Sequence, residues 1–421
     1  MNFRVLAIVC LTGSTIASPV SAESWLIEVS AGNHDRQGTP LTCELPDSLK
    51  VDPTRTKVLL TPVDGAGLPP VEGQIMPGER DTLRWRLERP LKRGESRRYA
   101  LRIEADASSG PMTCTESADH LEIRKGTRLV LRYLKTPGPE AAANEPYYSR
   151  TGYIHPLLTP LGQSVTGDYP ADHPHQHGLF FAWTNTEFEG RKLNFWDQKG
   201  QTGRISYRST GDLKSGGVVG QFTVSQRHED ITTPDSPKAV LDETWTVTAW
   251  MNQGDEKGTI LDIVSRQVCA SSSPLQILQY HYGGMAIRGP AEWFNPDKDA
   301  TPPSGFLTSE GLTRIDGNHS RPRWVDMHGP SGKGDEAGVA ILSHPDNFRA
   351  PQWVRLHPTK PYFVFTPMVE EGFAIEPGPD HAHVSRYRYF VHDGAPDPEQ
   401  IEKLWNDYSD PPSLKLIPSQ P

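Results

Sequence analysis

The 421 residues carry 52 acidic against 43 basic side chains, a net charge of -9 at pH 7, and 35% of them are hydrophobic. Excess negative charge without a long basic run argues against nucleic acid and anionic membrane surfaces as partners. The length suffices for two domains or one large β-domain.

In chain order, Arg4, an apolar run from Val5 to Ile16 and the small-residue stretch from Ala17 to Ala22 have the three-part layout of a secretory signal. Residues 1–22 are therefore expected to be removed, leaving Glu23 first in a periplasmic or secreted protein. Cys10 lies inside the apolar run and not at a lipid-attachment position. No later stretch approaches the roughly 18 uncharged apolar residues that a span requires, so no membrane span is expected.

Residues 23–135 read as a smaller N-terminal β domain: short strands between Pro/Gly turns, with Trp25, Ile27 and Val29 alternating as on a half-buried strand. Cys43 and Cys114 both fall in this region, and a bridge between them would contribute roughly 4 kcal/mol in the chain-entropy model. Three buried thiols, Cys269 included, is the alternative. The run from Thr136 to Asn144 reads as a linker or long loop and marks the expected domain boundary. Residues 145–395 read as the main domain, a large antiparallel β-sandwich, with Trp245, Val247 and Ala249 alternating in one strand and Tyr387, Tyr389 and Val391 in another. Residues 396–421 read as a helix and tail: Asp397 caps, Pro398 suits the first turn, and Ile401, Leu404, Trp405 and Tyr408 share a face for docking on a sheet. The fold class is thus mostly β.

The chemistry concentrates in the histidines. In the run Asp172-His173-Pro174-His175-Gln176-His177, three imidazoles at alternate positions project to one side of an extended chain. That suits acid/base work near neutral pH, and it also makes His173, His175 and His177 a candidate site for a divalent metal. His175 and His177 are the leading catalytic candidates, with His281 and Asp326 beside them. Tyr153, His155 and His173 are candidate substrate contacts, their aromatic faces and hydrogen-bonding groups suiting a sugar ring. Gly283-Gly284 reads as a turn or bulge admitting a ligand close to the backbone, and Arg288 after it would hold a carboxylate or hydroxyl. His344, Asn347, Arg349 and Trp353 supply an imidazole, an amide, a cation and a stacking face within ten residues. His381 and His383 are supporting candidates. No phosphate-binding glycine loop, Gly-x-Ser-x-Gly elbow or Cys-x-x-Cys pair is present, which removes nucleotide-driven and serine-hydrolase chemistry.

At Gly152-Tyr153-Ile154-His155-Pro156, Asp172-His173-Pro174-His175, Phe181-Ala182-Trp183, Phe195-Trp196, His344-Pro345-Asp346-Asn347 and Val391-His392-Asp393-Gly394 the chain resembles a bacterial family of unknown activity labelled "methane oxygenase PmoA". Gln176 stands where many members carry a further histidine. The label does not suit the chain, since a membrane oxygenase subunit needs several spanning helices and a histidine-brace copper oxygenase needs an N-terminal histidine. The resemblance implies company with sugar-degrading proteins, and a mutarotase-like supersandwich is expected by analogy of fold. The leading expectation is an exported carbohydrate-active enzyme of lyase, hydrolase or epimerase type. A non-catalytic sugar-binding protein and a metal-dependent oxidoreductase are the competing readings. The acid/base reading is expected to place His175 and His177 in one pocket with His281, Arg288 and Asp326.

Overall fold

A computed structural model describes residues 25–49, 52, 56–63, 68–105, 110–233, 235–252, 257–297, 300–332 and 335–418. The leader and its expected cleavage point lie outside the described residues. Strand outweighs helix, 49% against 9%.

The alternating apolar positions become the inner faces of two eight-stranded antiparallel sheets packed against each other. The first sheet runs in the order 203–214, 219–230, 238–250, 258–269, 383–393, 336–343, 324–330, 305–308. Its long strands bury Trp245, Val247 and Ala249, and Tyr387, Tyr389 and Val391, as alternation predicts. The second runs 353–356, 362–366, 284–288, 179–182, 153–157, 128–134, 120–125, 112–116. Its central strands, Leu179–Ala182, Gly284–Arg288 and Tyr362–Thr366, are buried throughout. They read as short unbroken apolar runs because both faces are covered. Between the sheets, the Tyr133 ring meets Phe222 at 5.6 Å and Trp245 at 6.2 Å.

Enclosed in this core is Glu243, whose carboxylate accepts from Trp245 Nε1 (2.7 Å), Ser265 Oγ (2.6 Å), Gln267 Nε2 (3.1 Å) and His228 Nε2 (2.8 Å). Burial alone would raise its pKa, but these donors, His228 foremost, hold it below the ordinary value.

The N-terminal strands form a seven-stranded sheet around Ile27, Val29, Leu60, Leu83, Trp85 and Tyr99. The final strand, Ser413–Pro418, pairs antiparallel with Trp25–Ser30 and closes this sheet. The expected tail is therefore a structural strand. The expected boundary at 136–144 is no break in the hydrogen bonding, because Arg128–Leu134 before it pairs with Tyr153–Leu157 after it, and part of the stretch is helical, Pro139–Asn144. Cys43 and Cys114 are both free thiols. They lie in different sheets, on Pro40–Glu44 and Met112–Glu116, so the bridge weighed above does not form.

The helix Pro398–Ser409 starts where expected, with Asp397 accepting from the N–H groups of Glu399 and Gln400. Its Ile401 and Leu404 pack on Trp324, Leu342 and Phe390, the outer face of the first sheet. The candidate site occupies the outer face of the other sheet.

Candidate functional site

The site is built by a loop folded back on a strand end. Gly167 donates to Arg288 O, Gly178 to Gly167 O, and Arg288 to Gly178 O, each at 2.8 Å, which ties residues 167–178 to the end of Gly284–Arg288. Gly178 sits at φ +47, and a Cβ there would stand 2.2 Å from Ile154 O, so only glycine lets the loop approach so closely. Within the loop, His173 N–H donates to Pro170 O and Gln176 N–H to His173 O. The chain is turned, not extended, and this overturns the expectation that the three imidazoles project to one side.

His173 and His177 accordingly each have their own carboxylate. His173 Nδ1 lies 2.8 Å from Asp172 Oδ2. His177 Nδ1 lies 2.7 Å from Asp168 Oδ1, and Asp168 Oδ2 accepts from the Tyr153 hydroxyl at 2.9 Å. His175 lies with its ring centroid 5.5 Å from that of His173 and 6.3 Å from that of Tyr148. His155 Nδ1 is 3.0 Å from Thr166 Oγ1. Among the described residues no three His, Cys, Asp or Glu side chains converge as a metal cage. The set His173, His175 and His177 does not, because two of its rings are turned toward separate carboxylates.

Asp168 fixes the state of His177. A carboxylate on Nδ1 selects the Nδ1–H tautomer, which leaves Nε2 as a lone-pair acceptor. That Nε2 is buried and has no protein partner. Burial opposes ionisation of Asp168, but the bonds from His177 hold its pKa below the ordinary value. His175 is half-buried and pushed down to about 4 by desolvation, against the opposing charge of Asp197. At neutral pH it is an uncharged base.

Arg288 is 1% exposed and holds the loop through its two terminal nitrogens: Nη2 and Nη1 donate to Asp172 at 2.7 and 3.0 Å, and Nη1 to Gln176 Oε1 at 3.1 Å, while Nε is buried without a partner. Burial would raise Asp172, but His173 and Arg288 hold it well below the carboxylate range. Arg288 is thus a pin for the histidine loop, not the ligand-holding cation expected. The surroundings are aromatic. Trp196 meets Tyr282 at 5.0 Å and Tyr362 at 6.4 Å, and His357 meets Tyr362 at 5.1 Å and His173 at 5.6 Å.

The structure therefore brings together Tyr153, His155, His173, His175, His177 and Arg288. It separates the rest. His281 is exposed at the rim, stacked beside Tyr280 and Tyr282. Asp326 pairs across its strands with Ala340, and so shares the helix-covered outer face of the first sheet, where it bridges His328 (2.8 Å) and His392 (2.9 Å). Both sheets stand between it and His175. His344 packs on Tyr408 of the C-terminal helix. Asn347 braces a loop through both backbone groups of Arg386, Arg349 donates to the carbonyls of Pro367, Glu371 and Gly372, and Trp353 lies buried under Arg321. These four build local structure away from the histidine loop. His381 is exposed, bonded to Pro377 O, and His383 packs on Phe373 and Trp183. Gly283-Gly284 admits the protein's own backbone: a Cβ on Gly284 would stand 2.5 Å from Phe365 O. Sequence reasoning missed Asp168 and His357 and named Trp196 only within the Phe195-Trp196 resemblance; each stands in a loop without periodicity.

Acid should destabilise this arrangement. His175 and His357, held by burial at about 4 and about 3, stay neutral in the fold but take up a proton in the unfolded chain near 6.5. The unfolded state then binds more protons, so stability falls as pH drops from 6.5 toward 4. The lowered carboxylates of Asp168 and Asp172 extend the loss below that. His392, held high by Asp326 despite burial, acts in the opposite sense but is one group against several. Melting temperature should fall steadily between pH 7 and pH 4.5, and a flat or rising profile would contradict this account.

The profile of a family described as "Family of unknown function (DUF6807)" matches residues 120–406, which include every residue of this site. No curated protein matches the chain.

Proposed function

We propose an activity for this chain, which belongs to DUF6807, a family of unknown function: an exported carbohydrate-active enzyme that works by histidine acid/base chemistry on the outer face of the second sheet. The observation that carries this reading is the pairing of Asp168 with His177 Nδ1, which leaves a buried Nε2 unpartnered beside the neutral His175. A general base needs a lone pair, a fixed tautomer and a pKa that keeps it uncharged at working pH. His177 supplies the lone pair and the fixed tautomer, and His175 stands beside it as a second imidazole, uncharged at neutral pH. Tyr280 and Tyr282, half-buried with centroids 5.0 Å apart, offer apolar ring faces on which a sugar stacks, over the buried rings of Trp196 and Tyr362. No oxygenase chemistry is proposed.

The reading is tested by incubating the protein with a broad oligosaccharide panel and following mass. Gain of water marks hydrolysis, a split without water marks elimination, and an isomer of equal mass marks epimerisation. His175→Ala is expected to lower turnover on the substrate found by at least about a hundredfold, the low end for loss of a positioned acid or base, with an unchanged circular dichroism spectrum. Binding without chemical change would leave a sugar-binding protein. Activity that tracks bound metal in untagged protein would replace this reading with the oxidoreductase one.

A further inference from the structure

We propose that Arg355, with Lys360 beside it, is the anion-binding end of this site, so that the sugar it takes carries a carboxylate or a sulfate group. The inference rests on the carbohydrate reading and adds a substrate class to it.

Register places Arg355. It pairs across the sheet with Val364, Val364 with Ala286, and Ala286 with Phe180, while Tyr362 pairs with Arg288. Residues directly opposite one another, or two apart on one strand, project to the same face. Arg355 therefore shares the outer face with Arg288 and Tyr362, and its neighbours Val354 and Leu356 point into the core, fully buried.

The two arginines differ in what they hold. Arg288 is consumed by Asp172 and Gln176. Arg355 lies beside Tyr362 and, unlike Arg288, has no carboxylate within ion-pair distance among the described residues; the Nε of each arginine is buried without a partner. The imidazoles it faces are held toward the neutral form, so the fixed cations on this part of the face are Arg355, Arg314 and Lys360. Arg355 acts on His281, His319 and His357, and His357 also faces His173, Lys360 and Arg314. Arg314 is anchored by the carbonyls of His357 (2.7 Å) and Lys360 (2.8 Å), not by a carboxylate. Lys360 lies 3.7 Å from Asp172, which Arg288 and His173 already occupy. A guanidinium without a carboxylate partner is satisfied by a bound anion. Tyr362 and Trp196, 6.4 Å apart, bridge from Arg355 toward the histidine loop. A sugar lying over this buried pair, against the half-buried Tyr282, would hold its acidic group at Arg355 and present its ring to His175.

The test is calorimetric titration of the full protein with three oligosaccharides of equal length, one uronate-containing, one sulfated and one neutral. At least one acidic ligand should bind ten times or more tighter than the neutral one, and which of the two binds identifies the anion. Arg355→Gln should weaken the acidic ligand roughly ten- to a hundredfold, as expected for a charge-assisted bond, and leave the neutral one unchanged. Arg355→Lys should recover part of the loss, and Arg227→Gln, on a distant strand, should change nothing. Equal affinity for acidic and neutral ligands, or an unaltered Arg355→Gln, overturns this inference and leaves the carbohydrate reading standing. Acidic binding lost in Arg355→Gln, with no chemical change on incubation, upholds it and removes the enzymatic reading. Binding of none of the three removes both.

Discussion

Replacing Glu243 by alanine is expected to lower the unfolding free energy by about 3–5 kcal/mol, the usual consequence of removing one partner from a buried charged network. The carboxylate sits between the two large sheets and accepts from the side chains of Trp245, Ser265, Gln267 and His228. Gln267 in turn accepts from Trp183 Nε1 at 2.8 Å. Alanine would orphan four donors in a space closed to water, each with a desolvation penalty of about 1–3 kcal/mol that relaxation only partly relieves. Glu243→Gln keeps one acceptor oxygen but turns an amide N–H₂ toward donors, so its loss should be smaller. Urea unfolding at pH 7 with an unchanged slope measures both. A shift under about 1 kcal/mol for the alanine variant would show that the network is solvated or readily repacked. The effect would be a large fraction of the about 5–15 kcal/mol typical of a folded protein.

Asp168→Asn is expected to reduce turnover by roughly a hundred- to ten-thousandfold, the span associated with a positioned acid or base, while the fold persists. Asparagine has the same shape, and its oxygen can accept from only one of the two donors that now meet the carboxylate, Tyr153 and His177. If the amide N–H₂ faces His177, the ring must carry its proton on Nε2, and the lone pair that makes it a base is lost. Nitrogen-15 NMR of labelled histidine reads this without any substrate. The wild-type ring should be protonated on Nδ1 and the variant ring on Nε2. In kinetics the loss should appear in kcat with KM nearly constant, since Asp168 positions His177 and does not touch substrate. A variant with the wild-type tautomer, or with full activity, would reduce Asp168 to a packing role.

What the sequence determines by itself here is local. A period of two, as in Trp245, Val247 and Ala249, requires only that one side of a strand be wet or differently packed, and it identifies strands throughout the chain. Asp397 and Pro398 start the final helix because capping is satisfied within one turn. A dense imidazole cluster is likewise visible without a fold, and His173, His175 and His177 do stand together with Tyr153, His155 and Arg288. Tertiary structure alone decides which face of which sheet a side chain joins. Asp326 and Arg288 look equally eligible along the chain, yet one strand carries its residue to the helix-covered side of the first sheet and the other to the loop-covered outer side of the second. Asp168 and Arg355 carry no periodic mark, and their roles arise from a loop folding onto a strand end and from register across four strands. The strand Ser413–Pro418 finds Trp25–Ser30 at the opposite end of the chain. Antiparallel pairing is specified by backbone groups common to all residues, so its partners are chosen by global packing and not by any local signal.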